Sequence, residues 1–398
     1  MKPLEGVRVL DLSRVLAGPW CTQLLADLGA EVIKIERPGA GDDTRLWGPP
    51  WHGEGEERVA AYFLSCNRGK KSAAIDFSQD EGAALVRRLA ARSDILIENF
   101  KVGGLEKFGL DAKSLRAQDP RLVYASITGF GQDGPYAERA GYDYIIQGMG
   151  GLMSITGLPD GVPGGGPMRV GVAVVDLFTG LYTCIAILSA LYRRERTGEG
   201  AHIDMALFDT QIAMLANQAS NALISGKDPP RQGNTHPNIV PYQPFEAADQ
   251  PIIIAVGNDR QFARLAEICG SPEWLADDRF ASNGARVANR EEMVRLVSEA
   301  IGRKTAAEWL DQLEAAGIPA GPINRITQAL GDVQAQHRQM VRSIAGVTLV
   351  GSPVRLDGER ADSDLPPPRL GEHTQSVLAS IGVSAAEAAL LRSKGVTG

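Results

Sequence analysis

The sequence has 398 residues, of which 44% are hydrophobic, and 41 Lys and Arg against 48 Asp and Glu give it a formal net charge of −7. This length predicts two or more domains with large cores, and the acidic balance excludes a general affinity for nucleic acid. The four cysteines and five histidines are scattered without metal-ligand spacing, so we expect neither a disulfide framework nor a metal site. The apolar-rich run at 181–192 is shorter than the roughly 18 residues of a membrane span, which predicts a cytoplasmic protein with no membrane partner.

The first 36 residues have the pattern of a β-α-β unit. Strand-like runs at 7–12 and 31–35 flank a helical segment at 19–29 that ends in glycine. This order predicts an α/β domain with an open, mostly parallel sheet and with ligands at the carboxyl ends of its strands. Glu36 follows at the distance typical of a ribose-binding acid, but the preceding loop lacks the G-x-G-x-x-G motif, so NAD binding is not predicted.

Polar and glycine-rich turns follow the strands of this predicted sheet. Arg37 begins one such turn, where its planar guanidinium suits a phosphate, although a solvated surface arginine fits the same position. A second basic turn at 67–71 precedes a strand at 72–77. Further strands at 95–97 and 122–127 also run into polar or glycine-rich loops. These strand ends predict one crevice that accepts a phosphorylated ligand.

Residues 167–200 contain the most informative carboxylate. The β-branched run at 170–175 predicts a strand, and the helical spacing of apolar residues after it predicts that Asp176 begins a long helix. The helix dipole would favour the ionised carboxylate and keep it available as a nucleophile near neutral pH. A plain N-cap explains an aspartate at this place equally simply.

The distribution of turn residues predicts the domain boundaries. We expect a large domain over 1–225, a linker at 226–244 rich in prolines and turn residues, and a smaller α+β domain over 245–325. Residues 326–398 are expected to form a second linker and return to the large domain.

Seven ordered blocks along almost the whole chain resemble family III CoA-transferases. The blocks are LDLSRVLAGPWCTQLLADLGAEVIKIERPGAGDDTR, NRGKKSAAID, LIENFKVGGLEKFGL, YASITGFGQDGPY, the Asp176 segment, GIPAGPIN and PRLGEHT. The resemblance implies a large Rossmann-like domain, a smaller α+β domain and a homodimer of interlocked chains. It also implies coenzyme A and acyl-CoA as substrates, with a free carboxylic acid as acceptor and no permanently bound cofactor.

The same resemblance assigns candidate site residues. Asp176 matches the aspartate that forms the acyl anhydride and CoA thioester intermediates of the family. Gly257 and Asn258 fall where the family has a mobile glycine loop, here with a single glycine, and we expect their N–H groups or those of the helix start to bind the oxyanions. Tyr142 and Asp143 are further candidates for the substrate pocket. The positions that match the CoA groove are Val15, Ala17, Arg37, Asn99, Phe100 and Lys101.

Two alternatives to a transferase remain open in the sequence. An α-methylacyl-CoA racemase resembles this chain, but Tyr142 stands in place of its histidine base and a tyrosine is a poor base at neutral pH. A non-catalytic acyl-CoA-binding protein would keep the groove but would not need Asp176.

The segment around Asp176 looks more like the succinate-type branch of the family than the formyl-CoA branch, which predicts CoA exchange between dicarboxylates with succinyl-CoA as the donor. Leu16 stands where the formyl-CoA enzyme has a glutamine. Strand alternation would place Arg169 on the same face as small residues, where its guanidinium is able to pair with a distal carboxylate. A purely structural salt bridge is as good an explanation of Arg169.

Overall fold

A computed structural model describes residues 2–55 and 58–398, and its contacts divide the chain into two units. The first unit comprises Met1–Leu152, Arg169–Lys227 and Val333–Gly398, and the second comprises Met153–Met168 and Asp228–Asp332. The segment 153–168, which the sequence placed in the large domain, therefore belongs to the second unit.

Within the described residues, the first unit is built on a six-stranded sheet whose neighbouring strands are all parallel. The sheet order is β5-β2-β1-β6-β7-β8, so the chain reverses its direction of travel across the sheet between β1 and β6. The strands and a separate hairpin, β3 with β4, are β1 (Arg8–Asp11), β2 (Glu31–Glu36), β3 (Trp51–His52), β4 (Val59–Ala60), β5 (Lys70–Ala74), β6 (Ile95–Glu98), β7 (Val123–Thr128) and β8 (His202–Ala206). The predicted open parallel sheet is confirmed. The edge strand β8 was missed because it is short and half exposed.

Helices cover both faces of this sheet, as expected for a parallel sheet whose strands are buried on both sides. Val9 packs with α1 and α7 on one face, while Leu10 packs with α3 and α16 on the other. The helices before the second unit are α1 (Ala17–Asp27), α2 (Ala61–Ser65), α3 (Asp80–Ala90), α4 (Ala112–Gln118), α5 (Asp143–Met149), α6 (Leu152–Ile155), α7 (Val174–Thr197), α8 (Leu207–Met214) and α9 (Ala216–Ser225). Short 3₁₀ helices lie at Asp43–Leu46 and Glu106–Phe108.

The second unit has its own core, which is centred on Trp309 and Phe262. Its described strands form an antiparallel sheet in the order β11-β10-β9. Its elements are β9 (Tyr242–Glu246), β10 (Pro251–Ala255), α10 (Asp259–Ile268), a 3₁₀ helix (Pro272–Ala276), α11 (Asn283–Ala288), α12 (Arg290–Ile301), α13 (Ala306–Ala315), β11 (Ala320–Pro322) and α14 (Ile326–Leu330). The chain then returns to the first unit with α15 (Val333–His337), the hairpins β12 (Val341–Ile344) with β13 (Val347–Val350) and β14 (Arg355–Leu356) with β15 (Glu359–Arg360), α16 (Thr374–Ser380) and α17 (Ala385–Ser393).

The strand predicted at 170–175 is wrong. Residues 167–173 are irregular, and Val174 and Val175 already belong to the first turn of α7. The Val170 N–H donates to the side-chain oxygen of Gln147 on α5 rather than to a neighbouring strand. β-Branched residues form strands only where a partner strand is present, and here tertiary contacts decide otherwise.

Helix α7 is also longer than the apolar run that was read from the sequence. Its 24 residues are long and apolar enough to cross a membrane by length and composition alone. One face packs on the sheet, where Val175, Cys184 and Ile187 are buried. The argument from run length against a membrane partner therefore does not hold.

Buried ion pairs lie near the carboxyl end of β1, where Lys34 of β2 and Lys70, the first residue of β5, each meet an aspartate. The Lys34 Nζ lies 2.9 Å from the Asp42 carboxylate and donates to the Ser13 carbonyl, and the Lys70 Nζ lies 3.2 Å from Asp11. The side chains of both pairs are fully buried. Burial alone would raise the pKa of Asp11, but Lys70 and Lys34 hold it below its usual value.

Adjacent lysines on β5 allow a matched test of this network. Lys70 is buried against Asp11, whereas Lys71 forms a half-exposed pair with Glu31. We expect Lys70→Met to lower the free energy of unfolding by about 3–5 kcal/mol, because it leaves a buried carboxylate without its partner. Lys71→Met should cost at most about 1 kcal/mol. Urea unfolding followed by circular dichroism measures both, and equal losses would contradict the prediction.

Candidate functional site

Three cavities of the described first unit adjoin one another beside the carboxyl ends of β1 and β6. The arginine cavity, of about 340 Å³, is lined by Arg14, Arg37 and Phe100. The central cavity, of about 430 Å³, shares Arg14 and Phe100 with it and extends to Asp176. Asp176 is also in the aromatic cavity, of about 600 Å³, which contains Trp20, Trp47, Tyr62, Tyr142 and Tyr144. Ligands of open parallel sheets bind at such a reversal of strand order.

Asp176 is the third residue of α7 and lines both the central and the aromatic cavity. It is not the N-cap: that residue is Ala173, and Asp143 accepts the N–H groups of Val175 and Asp176 at 2.8 and 3.3 Å. Within the described chain, no side-chain hydrogen bond of Asp176 is found. Its carboxylate therefore neither caps a helix nor forms a salt bridge.

The electrostatic surroundings of Asp176 differ from the expectation. Burial, and secondarily the charge of Asp143, raises the pKa of Asp176 from 3.8 to about 7. The start of a helix favours the ionised form of a carboxyl group, but desolvation and the like charge of Asp143 outweigh this effect here. The Asp143 carboxylate itself accepts the helix N–H groups. The carboxylate is about half ionised at pH 7 rather than fully ionised.

Loop 13–19 follows β1 and includes the first three residues of α1, and part of it lines the central cavity together with Asp176. Val15 has φ of +70°, which is a genuine outlier for a β-branched residue, and its N–H lies 3.3 Å from the Asp42 carboxylate. A Cβ at Gly180 would lie 2.6 Å from the Ala17 carbonyl oxygen, so glycine allows α7 to pack closely on this loop. The predicted residues Val15 and Ala17 thereby line the same cavity as Asp176.

The predicted turn Asn99–Lys101 joins this loop from the end of β6. The Asn99 side chain accepts the Arg14 N–H at 2.9 Å and donates to the Arg14 carbonyl at 2.7 Å, so it clasps the two loops together. The ring of Phe100 lies 5.3 Å from the Arg14 guanidinium and separates the arginine cavity from the central one. Lys101 is exposed and lines the central cavity.

Arg37 and Arg169 are both exposed cations at cavities. Arg37 lines the arginine cavity, and among the described residues its side chain has no hydrogen bond or ion pair. Arg169 lines the aromatic cavity together with Asp176, and its guanidinium lies 5.8 Å from the Tyr144 ring centroid. The strand alternation that suggested Arg169 is wrong, yet the residue lies in the same cavity as the candidate nucleophile. It does not form the alternative structural salt bridge among the described carboxylates.

Most of the expected oxyanion donors are already engaged. The Gly257 N–H donates to the Gln261 side chain at 2.8 Å, and Asn258 caps α10. At the start of α7, the N–H groups of Val174 and Leu177 donate to Val172 and Ala173 carbonyls, and Asp143 accepts the two between them. In this conformation the Gly257 N–H and the N–H groups at 174–177 are therefore engaged, whereas the Asn258 backbone N–H has no acceptor among the described residues.

Sequence analysis missed several residues of the site. Trp20, Trp47 and Tyr62 line the aromatic cavity, but they come from three separate segments without a shared motif. Asp42 supports Val15 across 27 positions of sequence. Among the residues described, no group of three or more His, Cys, Asp or Glu side chains has a metal-binding arrangement.

The fold and this site define an α/β protein with a buried carboxylate, free of side-chain hydrogen bonds, at a strand switch point. The family model for CoA-transferase family III matches residues 4–374, and the chain belongs to that family. It is an enzyme that transfers CoA from an acyl-CoA to a carboxylic acid, so the racemase and binding-protein alternatives are set aside.

Named relatives cover nearly the whole chain. A succinate–glutarate CoA-transferase of Agrobacterium fabrum is 50% identical over 95% of this chain and 96% of its own length. A succinyl-CoA:glutarate CoA-transferase of Mus musculus is 44% identical over 96% of this chain and 87% of its own. The crystal structure of a CAIB/BAIF family protein from Brucella suis is 52% identical, with a TM-score of 0.85 over 96% of this chain and 99% of that one.

Proposed function

We propose that this enzyme moves CoA between dicarboxylic acids, with succinyl-CoA as the donor, and that Asp176 is the nucleophile. The observation that carries the proposal is the Asp176 carboxylate, which has no side-chain hydrogen bond in the described chain and lies where the central and aromatic cavities meet. The names of the relatives from Agrobacterium fabrum and Mus musculus support succinate and glutarate as the class of substrate.

The chemistry proceeds in four balanced steps. Asp176 attacks the donor thioester, so that a bond forms between its carboxylate oxygen and the acyl carbon while CoA leaves as thiolate. The thiolate then attacks the aspartyl carbonyl, which releases the donor acid and leaves an aspartyl-CoA thioester. The acceptor carboxylate displaces CoA to form a second anhydride, and the thiolate takes the new acyl group and regenerates Asp176. Covalent catalysis of this kind divides one difficult exchange into easier steps.

The adjoining cavities give each part of the substrate a place. Arg37 and Arg14 in the arginine cavity suit the phosphates of CoA, because guanidinium groups pair with phosphate in a planar fork. The central cavity, with Val15, Ala17 and Phe100, accepts the pantetheine arm and leads to Asp176. The acyl group then lies in the aromatic cavity.

Trapping tests the nucleophile and its ionisation together. Rapid-quench mass spectrometry of enzyme mixed with succinyl-CoA should find a covalent adduct on Asp176, and Asp176→Ala should form none. Since only the ionised carboxylate attacks and its pKa is about 7, the rate should rise about tenfold per pH unit below 7 and level off above about 8. An adduct elsewhere, or a rate that is flat from pH 5.5 upward, would contradict this assignment.

Arg169 is proposed to bind the distal carboxylate of the acyl group. Its exposed guanidinium lines the aromatic cavity with Asp176, and a monocarboxylic acyl group offers it no partner. We expect Arg169→Met to reduce the preference for succinyl-CoA over butyryl-CoA by about 10- to 100-fold, as for loss of a charged hydrogen bond. Arg139→Met is the matched control, because Arg139 lines the central cavity only and should leave the ratio unchanged. A retained preference in Arg169→Met would overturn the role.

A homodimer is proposed to cover the outer face of α7. This face exposes Phe178, Leu181, Tyr182, Ile185 and Tyr192, of which Ile185 is 60% and Tyr192 63% accessible. Contiguous apolar surface of this kind marks an interface, and Leu223 and Ile224 on α9 are likewise exposed. Interlocked chains would cover these segments together.

Light scattering should give twice the 42.5 kDa mass of the chain. Ile185→Glu should reduce the mass to that of a monomer, because it places a charge in the buried interface, whereas Leu390→Glu on the exposed side of α17 should not. A monomeric wild type that instead co-sediments with lipid vesicles would assign the α7 face to a membrane.

A further inference from the structure

A fourth cavity, of about 290 Å³, lies behind the turn that carries Asn99 and Phe100, and we call it the glutamate cavity. It shares Lys101, Val102 and Gly104 with the central cavity, so one stretch of chain forms a wall of both. Glu98, the last residue of β6, lines the glutamate cavity and is 6% accessible.

Glu98 lies at one end of a row of polar side chains across three strands. Its carboxylate accepts the Phe100 N–H at 2.7 Å, and Ser126, its register partner on β7, lies beside it with a hydroxyl that lowers its pKa. The Ser126 Oγ lies 3.0 Å from the Nε2 of His202 on the edge strand β8. The His202 ring packs edge-on against Tyr124 and is accessible to solvent. A buried carboxylate at the CoA groove is thus connected to the surface.

We propose that Glu98 is a positioning residue for CoA binding, which holds the turn Asn99–Lys101 in place through a directed hydrogen-bond chain formed with Ser126 and His202. This inference rests on the proposed use of the central cavity by CoA. The position of this turn determines where the Phe100 ring lines the groove and whether Asn99 forms its two hydrogen bonds with the Arg14 backbone.

The chain has one consistent direction when Glu98 is ionised. A carboxylate only accepts hydrogen bonds, so Ser126 donates its single proton to Glu98 and accepts from His202, which must carry its proton on Nε2. A neutral glutamine at position 98 reverses this order. Its carbonyl still accepts the Phe100 N–H, but its amide donates to Ser126, which then donates to an unprotonated Nε2 of His202.

Burial raises the pKa of Glu98 from 4.5 to about 7, against the opposing effect of its two hydrogen bonds. The carboxyl is therefore ionised above pH 7 and protonated below it. Burial also lowers the pKa of His202, so that the ring is neutral at pH 8. The other titratable or charged groups at the cavity are Lys101, Glu106, Asp111, Lys113 and Tyr124, with Asp204 and Arg116 acting on His202.

The first measurement is the tautomer of His202 at pH 8, read from the ¹⁵N resonances of histidine-labelled enzyme. Wild type should have a protonated Nε2, and Glu98→Gln should have an unprotonated one. Ser126→Ala should remove this dependence on position 98. Glu106→Gln is the matched control, because Glu106 lines the same cavity but is exposed, and it should leave the tautomer unchanged. An unprotonated Nε2 in wild type would overturn the proposed chain.

The second measurement is the affinity for CoA by calorimetry in an Asp176→Ala background, which removes the titration of Asp176. At pH 8, adding Glu98→Gln should weaken binding about three- to tenfold, because a charge-assisted bond to Phe100 becomes a neutral one. At pH 6, where Glu98 itself is protonated, Asp176→Ala with and without Glu98→Gln should have the same affinity for CoA. The ionisation of CoA changes equally for both proteins, so it does not affect their ratio.

The outcomes separate this inference from the proposed function. If CoA binds with the same affinity in both proteins at pH 8, or with the same ratio at both pH values, Glu98 does not position the groove. If CoA binds to neither protein, the assignment of the groove fails, while the His202 tautomer still decides whether the hydrogen-bond chain exists.

Discussion

The shape of the active site depends on charges that are buried beneath loop 13–19. Lys34 neutralises Asp42 and donates to the Ser13 carbonyl, so one ammonium group fixes both the loop and the carboxylate that supports it. Asp42 in turn accepts the strained Val15 N–H. A buried ion pair stabilises a protein little more than apolar residues in its place would, but loss of one partner leaves an unpaired buried charge and is strongly destabilising. The two members of the pair are therefore needed together. A loop held in this way presents Val15 and Ala17 to the groove in a fixed position.

Asp143 has two opposing effects on Asp176. By accepting the Val175 and Asp176 N–H groups, it completes the start of α7 and fixes the position of Asp176. Its charge also helps to raise the pKa of that residue to about 7. In the proposed mechanism, the smaller ionised fraction is offset by a well-positioned carboxylate of higher basicity, which attacks more readily once ionised.

Local pattern was sufficient for much of the fold. The β-α-β opening, the parallel sheet and the long helix that contains Asp176 in its first turn follow from short-range periodicity, and the family blocks located the residues that line the groove. The strand at 170–175 failed because the partner of Val170 is a side chain on α5. The prediction of a fully ionised Asp176 failed because burial and the charge of Asp143, 33 positions earlier, outweigh the effect of the helix start on its pKa. Glu98 was seen only as a polar strand end, since its connection to His202 exists through the sheet register alone.

The arginine cavity and the aromatic cavity lie at opposite ends of the groove, so the proposed binding of CoA and of the acid uses separate residues. The aromatic cavity shares Val15, Leu16, Tyr142 and Asp176 with the central cavity, and the described arginine cavity has no lining residue in common with it. Side chains such as Trp47, Tyr62 and Arg169 can therefore be exchanged while the cations at the far end remain unchanged. On the proposed assignment of the cavities, substitutions in the aromatic cavity would change the acids that the enzyme accepts without altering its contacts with CoA, so this cavity is the natural target for redesign toward new acceptors.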